Sequence, residues 1–426
     1  MSSPLLAGAA RRVITPPVGV DLCGFGARPG PSIGVRDDLY ASALYLSRDD
    51  QQVLILSADL IGLHRDEVAL VRNQIQEATG LAPEAIMVCT THTHSGPATH
   101  AIQHLGKQEE TYLSWLYTEL ATVSCEAREA AVPASVARAR VPVQVGINRR
   151  ISGGVVAPYA DVLSVWDSAE VPRACLFCHA AHAVTMGGAN QRISGDWAGA
   201  AQRHVQAGFG PQCVPVYLQG CCGNINSAER GEEYVEMQGR KLATAVLASQ
   251  AAAPRETEPR LGACSLQTAL PLMAPPSVEE AEGLLAQAQE LAARARVDKN
   301  YGAIMMYDGW VQWSQNLVGY ARKQDWPREV PFEVQALALG SLAVVGLPGE
   351  MFVEYGLNLQ DASPFAATAV TAYTNGMVGY VPTAAAYEEG GYEVDNAIRY
   401  YGTTMLDRSS EQVILTTARK ALAGLS

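Results

Sequence analysis

The sequence predicts a mixed α/β (α+β) fold, and three observations carry that prediction. Apolar strand-like runs alternate with helix-like ones, glycines punctuate their ends, and one Ala/Glu/Leu-rich stretch reads as helix alone. Residues 53–58 read as a strand, 66–79 as a helix stopped by Gly80, and 85–90 as a second strand. A helix over about 111–130 follows, then strands near 139–145 and 162–166. Residues 277–296 form the clearest helix, opening with Ser277 and Glu280 in capping-box spacing. It lies in a stretch, roughly 272–325, that lacks glycine-punctuated strand ends and reads as a helical insertion or subdomain.

Composition narrows the function. The 426 residues are 48% hydrophobic and 17% charged, the range of a compact chain. With 31 Lys and Arg against 43 Asp and Glu, the formal charge is −12. Nucleic acid and anionic membrane surfaces reward clustered cations, so both are disfavoured as partners. No run reaches the length of a membrane span, and Arg11 and Arg12 follow the first apolar stretch, unlike an export signal. The expectation is a cytoplasmic protein without stable membrane anchoring. The nine cysteines are odd in number and mostly in apolar runs, which suits buried, reduced thiols.

Four segments place polar groups where an apolar strand gives way to a small-residue loop, where sites gather in sheet proteins. They are IMVCTTHTHSG at 86–96, ACLFCH at 174–179 leading to His182, CVPVYLQGCCGNIN at 213–226, and LAVVGLPGE at 342–350. Six of the eight histidines (His92, His94, His100, His104, His179 and His182) fall into two clusters. A catalytic zinc usually takes three protein ligands and keeps a position for water. A strand-end His-x-His, a second cluster and a Gly-Glu strand end therefore point to a metal centre. Cys175-x-x-Cys178-His179 matches a haem-attachment pattern, but it lies in a buried strand that sends alternate residues to opposite faces. The same alternation disfavours a zinc site built from Cys175, Cys178, His179 and His182. Cys221-Cys222 has no activating base in sequence, and Gly24-Phe25-Gly26 reads as a tight loop.

The stretch THTHSGP at 91–97 resembles the signature of the neutral/alkaline non-lysosomal ceramidase family, and further segments follow in that family's order. These are RVITPP at 12–17 with GFG at 24–26, Asn148-Arg149, His182 with ISGDWAG at 193–199, QGCCGNIN at 219–226, and LPGE at 347–350. A tyrosine-rich end completes them: YTNG at 373–376, GYVPT at 379–383, Tyr387 and GYE at 391–393. The resemblance implies a sandwich-like catalytic domain, expected to span 1–426 with the helical insertion at 272–325; a departure from the family's full-length members is that no C-terminal β-sandwich domain is expected. It implies one zinc per chain held by His92, His182, Glu350 and Tyr387, with Tyr380 and Tyr392 as neighbouring alternatives to Tyr387. His94, Arg149 and Tyr401 would act on the substrate, and Gly24, Asn226 and Tyr400 would line its site. The implied activity is hydrolysis of a linear carboxylic amide by zinc-activated water. GNIN at 223–226 stands where the family has Gly-Asp-Val-Ser, which removes any serine-nucleophile scheme.

The acidic balance and six phenylalanines favour a soluble small-molecule amide over ceramide, with homo-oligomerisation left open. Two rival readings are a TIM-barrel metal amidohydrolase or lactonase and a non-catalytic metal-binding relative. The first wants eight βα units, which the 272–325 stretch and the late Glu350 interrupt.

Overall fold

The computed structural model describes residues 3–26, 28–249 and 254–425. Among the described residues, two larger sheets are joined by three two-stranded ones. The larger contains β1 (Leu6–Val13), β2 (Tyr40–Arg48), β3 (Gln51–Ala58), β4 (Ile86–Thr90), β5 (Val132–Pro142), β6 (Tyr159–Asp167), β7 (Pro172–His179) and β8 (Val214–Gln219). Their spatial order is β8-β7-β6-β5-β1-β2-β3-β4, with the two-residue strand Arg255–Glu256 beside β5. The central pairs are antiparallel, while β3–β4 and β7–β8 at the two ends are parallel. The smaller sheet runs β9 (Leu261–Pro271), β10 (Glu329–Leu339), β11 (Leu342–Gly346) and β12 (Ala367–Thr371), and its last pair is parallel.

The pleat decides which side chains meet. Val53 and Ile55 of β3 share a core with Leu176, Leu337, Val344 and Ala369, so the two sheets pack face to face. Leu54 and Leu56 point the other way, onto helices α1 (Arg65–Thr79) and α2 (Glu110–Glu129). Cys175 and Phe177 face Trp197 and Val205 of α3 (Asp196–Phe209) and Leu242 of α4 (Glu232–Ala248). The result is a mixed α/β sandwich with helices on the outer faces.

Helices α5 (Val278–Val297) and α6 (Tyr301–Lys323) lie between β9 and β10 in the chain. Ser277 and Glu280 close the capping box on α5. Helix α6 is seated on loops of the larger sheet. Tyr301 bonds Asp21 at 3.0 Å, Trp313 Nε1 donates to Thr403 O at 2.8 Å, and a Cβ on Gly302 would stand 2.6 Å from Arg28 O. Helices α7 (Val353–Asp361) and α8 (Ser410–Ala423) complete the smaller sheet's outer layer. Strand β5 begins seven residues before the expected 139, because Val136 and Ala137 supply buried positions ahead of the apolar run.

The CxxCH segment resolves as alternation requires. Cys178 faces the inter-sheet core while Cys175 faces α3, and all nine cysteines are free. Among the described residues no helix is long and apolar enough to cross a membrane.

Candidate metal centre

A bridge between Thr93 and Ala183 brings the loop after β4 against the loop after β7. The loops after β4, β7 and β11 carry His92 and His94, His182, and Glu350 respectively. His92 takes a left-handed backbone (φ 56°), uncommon outside glycine and a mark of imposed local geometry. Gln219, the last residue of β8, ties two of these loops, its Nε2 donating to Thr91 O at 3.1 Å and Ala181 O at 2.8 Å. His94 N donates to Ala183 O at 3.1 Å, and Thr93 Oγ1 to Ser194 O at 2.7 Å. Asp196, in the 193–199 turn, accepts from Thr185 and Met186 backbone N–H groups and so holds the chain beyond His182.

The imidazoles converge with one polarity. His92 Nδ1 lies 2.6 Å from Ile61 O, His182 Nδ1 3.0 Å from Ile225 O, and His94 Nδ1 3.1 Å from Gly24 O. A carbonyl demands an N–H, so each neutral ring carries its proton on Nδ1 and leaves Nε2 as a bare lone pair. Those lone pairs are brought together, with His92 Nε2 and His94 Nε2 3.1 Å apart. Glu350 Oε2 stands 3.3 Å from His92 Nε2 and 3.1 Å from His182 Nε2. Acceptors facing acceptors at this range, in a buried site, repel unless a cation lies between them. With metal–ligand bonds of ~2.0–2.1 Å, tetrahedral ligands sit about 3.3–3.4 Å apart, close to what is seen. The donor set therefore fits a metal ion, with backbone carbonyls fixing each ring as second partners.

Electrostatics agree. Burial pushes His182 down to about 4. Burial, together with the neighbouring His92 and His182, holds His94 well below the usual imidazole range. Burial works against charge on Glu350, but His92 and His182 outweigh it and hold its carboxyl well below the usual range. Neutral imidazoles and an ionised carboxylate are the forms that ligate.

The expected residues divide on inspection. The resemblance set His94 apart from the metal, but its Nε2 belongs to one group with those of His92 and His182, within 4.8 Å of one another. Tyr387 is corrected. Its hydroxyl donates to Leu406 O at 2.7 Å and its charged neighbours are Asp407, Arg408 and Glu411, so it is turned away from the donors. Glu350 Oε1 instead accepts from the Tyr401 hydroxyl at 2.5 Å. Tyr400 turns the opposite way, onto Met306 and Trp310 of α6. Gly24 lies against His94: a Cβ there would stand 2.4 Å from Nδ1, at φ +100°. Arg149 Nε donates to Glu393 Oε1 at 2.7 Å and Nη1 reaches Asn226 Oδ1 at 3.4 Å. Arg149, Asn226 and Tyr392 line a cavity of about 700 Å³.

Two contributors were not singled out from sequence. Tyr373 stacks on His92 at 4.0 Å between ring centroids, with its hydroxyl 3.4 Å from Glu350 Oε2. Gln219 was noted only as the start of a loop motif. A buried polar residue closing an apolar strand was the available signal.

The fold and donor set define an α/β sandwich with a His/Glu donor group on the loops beyond its strands. Solved structures with this fold include neutral ceramidase from Pseudomonas aeruginosa, with TM-score 0.75, 17% identity, and 99% of this chain covering 74% of that one. Another is a ceramidase complexed with C2, with TM-score 0.77, 16% identity, and 99% of this chain covering 75% of that one. The chain thus has a neutral ceramidase-like fold. No protein-family model and no curated relative matches it.

Proposed function

We propose that the protein is a zinc-dependent hydrolase of carboxylic amides, with one zinc per chain. The observation that carries this reading is the convergence of the Nε2 atoms of His92 and His182 on the Glu350 carboxylate, with His94 Nε2 beside that of His92. These residues would hold the ion, and Tyr401 would orient Glu350 through its 2.5 Å hydrogen bond. A zinc ion there supplies a Lewis acid for the amide carbonyl and acidifies a water toward neutral pH. Arg149 would supply a donor for negative charge developing on the carbonyl oxygen. Burial of the donors keeps bulk water out, which strengthens each of these interactions. The neutral ceramidase-like fold supports amide chemistry.

The substrate we propose is a soluble amide with a short or polar acyl group. The cavity beside Arg149 is lined by charged and polar side chains, and α6 closes over the Gly24 and Thr403 loops. Both features, and the charge of −12, suit a soluble molecule better than a two-chain lipid.

The test is turnover of an amide panel with and without chelator, alongside metal analysis. About one zinc per chain and chelator-sensitive hydrolysis are expected, with kcat/KM higher for short N-acyl amides than for long-chain ceramide in detergent. Absence of a transition metal overturns the zinc reading, and a preference for ceramide overturns the substrate reading.

A further inference from the structure

Buried opposite charges also meet where residues 148–150 pack against 389–393. Asn148 Oδ1 accepts from the backbone N–H groups of Arg150 and Ile151, both at 3.0 Å, and Arg149 N donates to Asn224 O at 2.9 Å. This backbone is fixed before either arginine side chain is considered. Opposite it, Glu393 lies in a π-type turn, Tyr392–Asn396, and is 3% exposed. Such turns are rare and are frequent at functional sites.

Glu393 divides its carboxylate between two guanidinium groups. Oε1 takes Arg149 Nε at 2.7 Å and Oε2 takes Arg150 Nη1 at 2.6 Å. Arg150 is then largely spent, since its Nη2 bonds Glu389 Oε2 at 3.1 Å and Gly390 O at 2.8 Å. Arg149 is not. Its Nη1 makes one long contact to Asn226 at 3.4 Å, and its buried Nη2 has no hydrogen-bond partner. Tyr380 and Tyr392 flank the guanidinium, with centroids 5.3 and 5.7 Å from Cζ. Arg149 is therefore held at Nε, at Nη1 and by the Tyr380 side chain, while Nη2 has no hydrogen-bond partner. Burial works against charge on Arg149, but Tyr380, Glu393 and Glu350 outweigh it, so the guanidinium stays charged.

We infer that Glu393 is a positioning residue, locking the Nε edge of Arg149 so that its free Nη2 donors are presented, preoriented, to the substrate. This rests on the proposed amide hydrolysis for the part played by Arg149, but not for the geometry. A guanidinium fixed in advance loses little freedom when it binds, which is how a supporting group contributes to transition-state stabilisation. Arg150 serves as counterweight, drawing the second oxygen and fixing the carboxylate plane. Gly391 makes room for this, since a Cβ there would stand 3.0 Å from Arg150 Nη1.

The experiment has a substrate-free arm and a kinetic arm, run on the wild type, E393A, E393Q, R149A and E393A/R149A. In the first, the Nε–H resonance of Arg149 is followed by NMR on protein labelled with ¹⁵N-arginine. It should be sharp and slow to exchange in the wild type, shifted in E393Q, and lost in E393A. In the second, on the amide the wild type turns over best, E393A should lower kcat about 10–100-fold with a smaller change in KM. The double variant should be no slower than R149A, and metal content should match the wild type throughout. E393Q keeps one carbonyl oxygen for Arg149 and should lose less than E393A. It is also the decisive variant should E393A fail to fold. A wild-type Arg149 resonance in the Glu393 variants, or losses that multiply with those of R149A, would overturn the inference. If the wild type cleaves no amide, the proposed function fails, and the resonance alone decides whether Glu393 fixes Arg149.

Discussion

Replacing Tyr401 by Phe removes one hydroxyl and, with it, the hydrogen bond to Glu350 Oε1 at 2.5 Å. Burial and the Glu350 charge hold the phenol well above its ordinary pKa, so Tyr401 stays a donor at any practical pH. A hydrogen bond to an ionised acceptor contributes roughly 1.5–3 kcal/mol. At about 1.4 kcal/mol per tenfold, its loss should weaken zinc binding roughly 10- to 100-fold, the range typical of groups that orient a ligand. The phenyl ring remains, so packing changes by a single oxygen. Tyr387→Phe is the control, because that hydroxyl serves Leu406 O and should leave zinc affinity unchanged. Competition against a chromophoric chelator at pH 7, with circular dichroism to check folding, measures both. Wild-type affinity in Tyr401→Phe, or the loss appearing in Tyr387→Phe, would refute the assignment and return the tyrosine to the position the family resemblance implied.

His94→Ala should also weaken zinc binding, because His94 Nε2 stands 3.1 Å from that of His92; full zinc retention with lost turnover would make it a substrate contact instead. Gly24→Ala should impair the same centre, since its Cβ would collide with His94 at 2.4 Å in a backbone that disfavours side chains; an unchanged zinc content and activity would mean the loop relaxes freely. His179, buried with Nδ1 on Tyr159 O and Nε2 accepting Val145 N–H, should titrate near 4 by NMR, as burial dictates. Because its folded pKa lies below the unfolded value, stability is fully present above about pH 6.5 and falls as the pH drops toward 4, by roughly 3 kcal/mol at about 1.4 kcal/mol per unit. A urea midpoint that is flat between pH 6.5 and 4.5 would contradict this.

What the sequence alone determined is what local chemistry controls. Continuous apolar runs set the strands, because both of their faces are buried, Val53 in one core and Leu54 in another. Ser277 and Glu280 announced the start of α5, since both partners of the capping box lie within one turn. His92, His182 and Glu350 were legible because each follows an apolar strand within a few residues, while the meeting of the two histidine loops is made by Gln219 and the Thr93–Ala183 bridge. Tertiary structure decided the rest. Residues 373–401 are mostly irregular, with no period to say which tyrosine turns inward. The choice of Tyr401 over Tyr387 is made by packing of that segment against Glu350 and Leu406. The left-handed backbone at His92 departs from extended strand geometry, so the grouping of His94 with His92 and His182 is set by the folded loop and not by their two-residue spacing. Glu393 joins arginines more than 240 positions away, a pairing that exists only once both loops are folded onto the same wall.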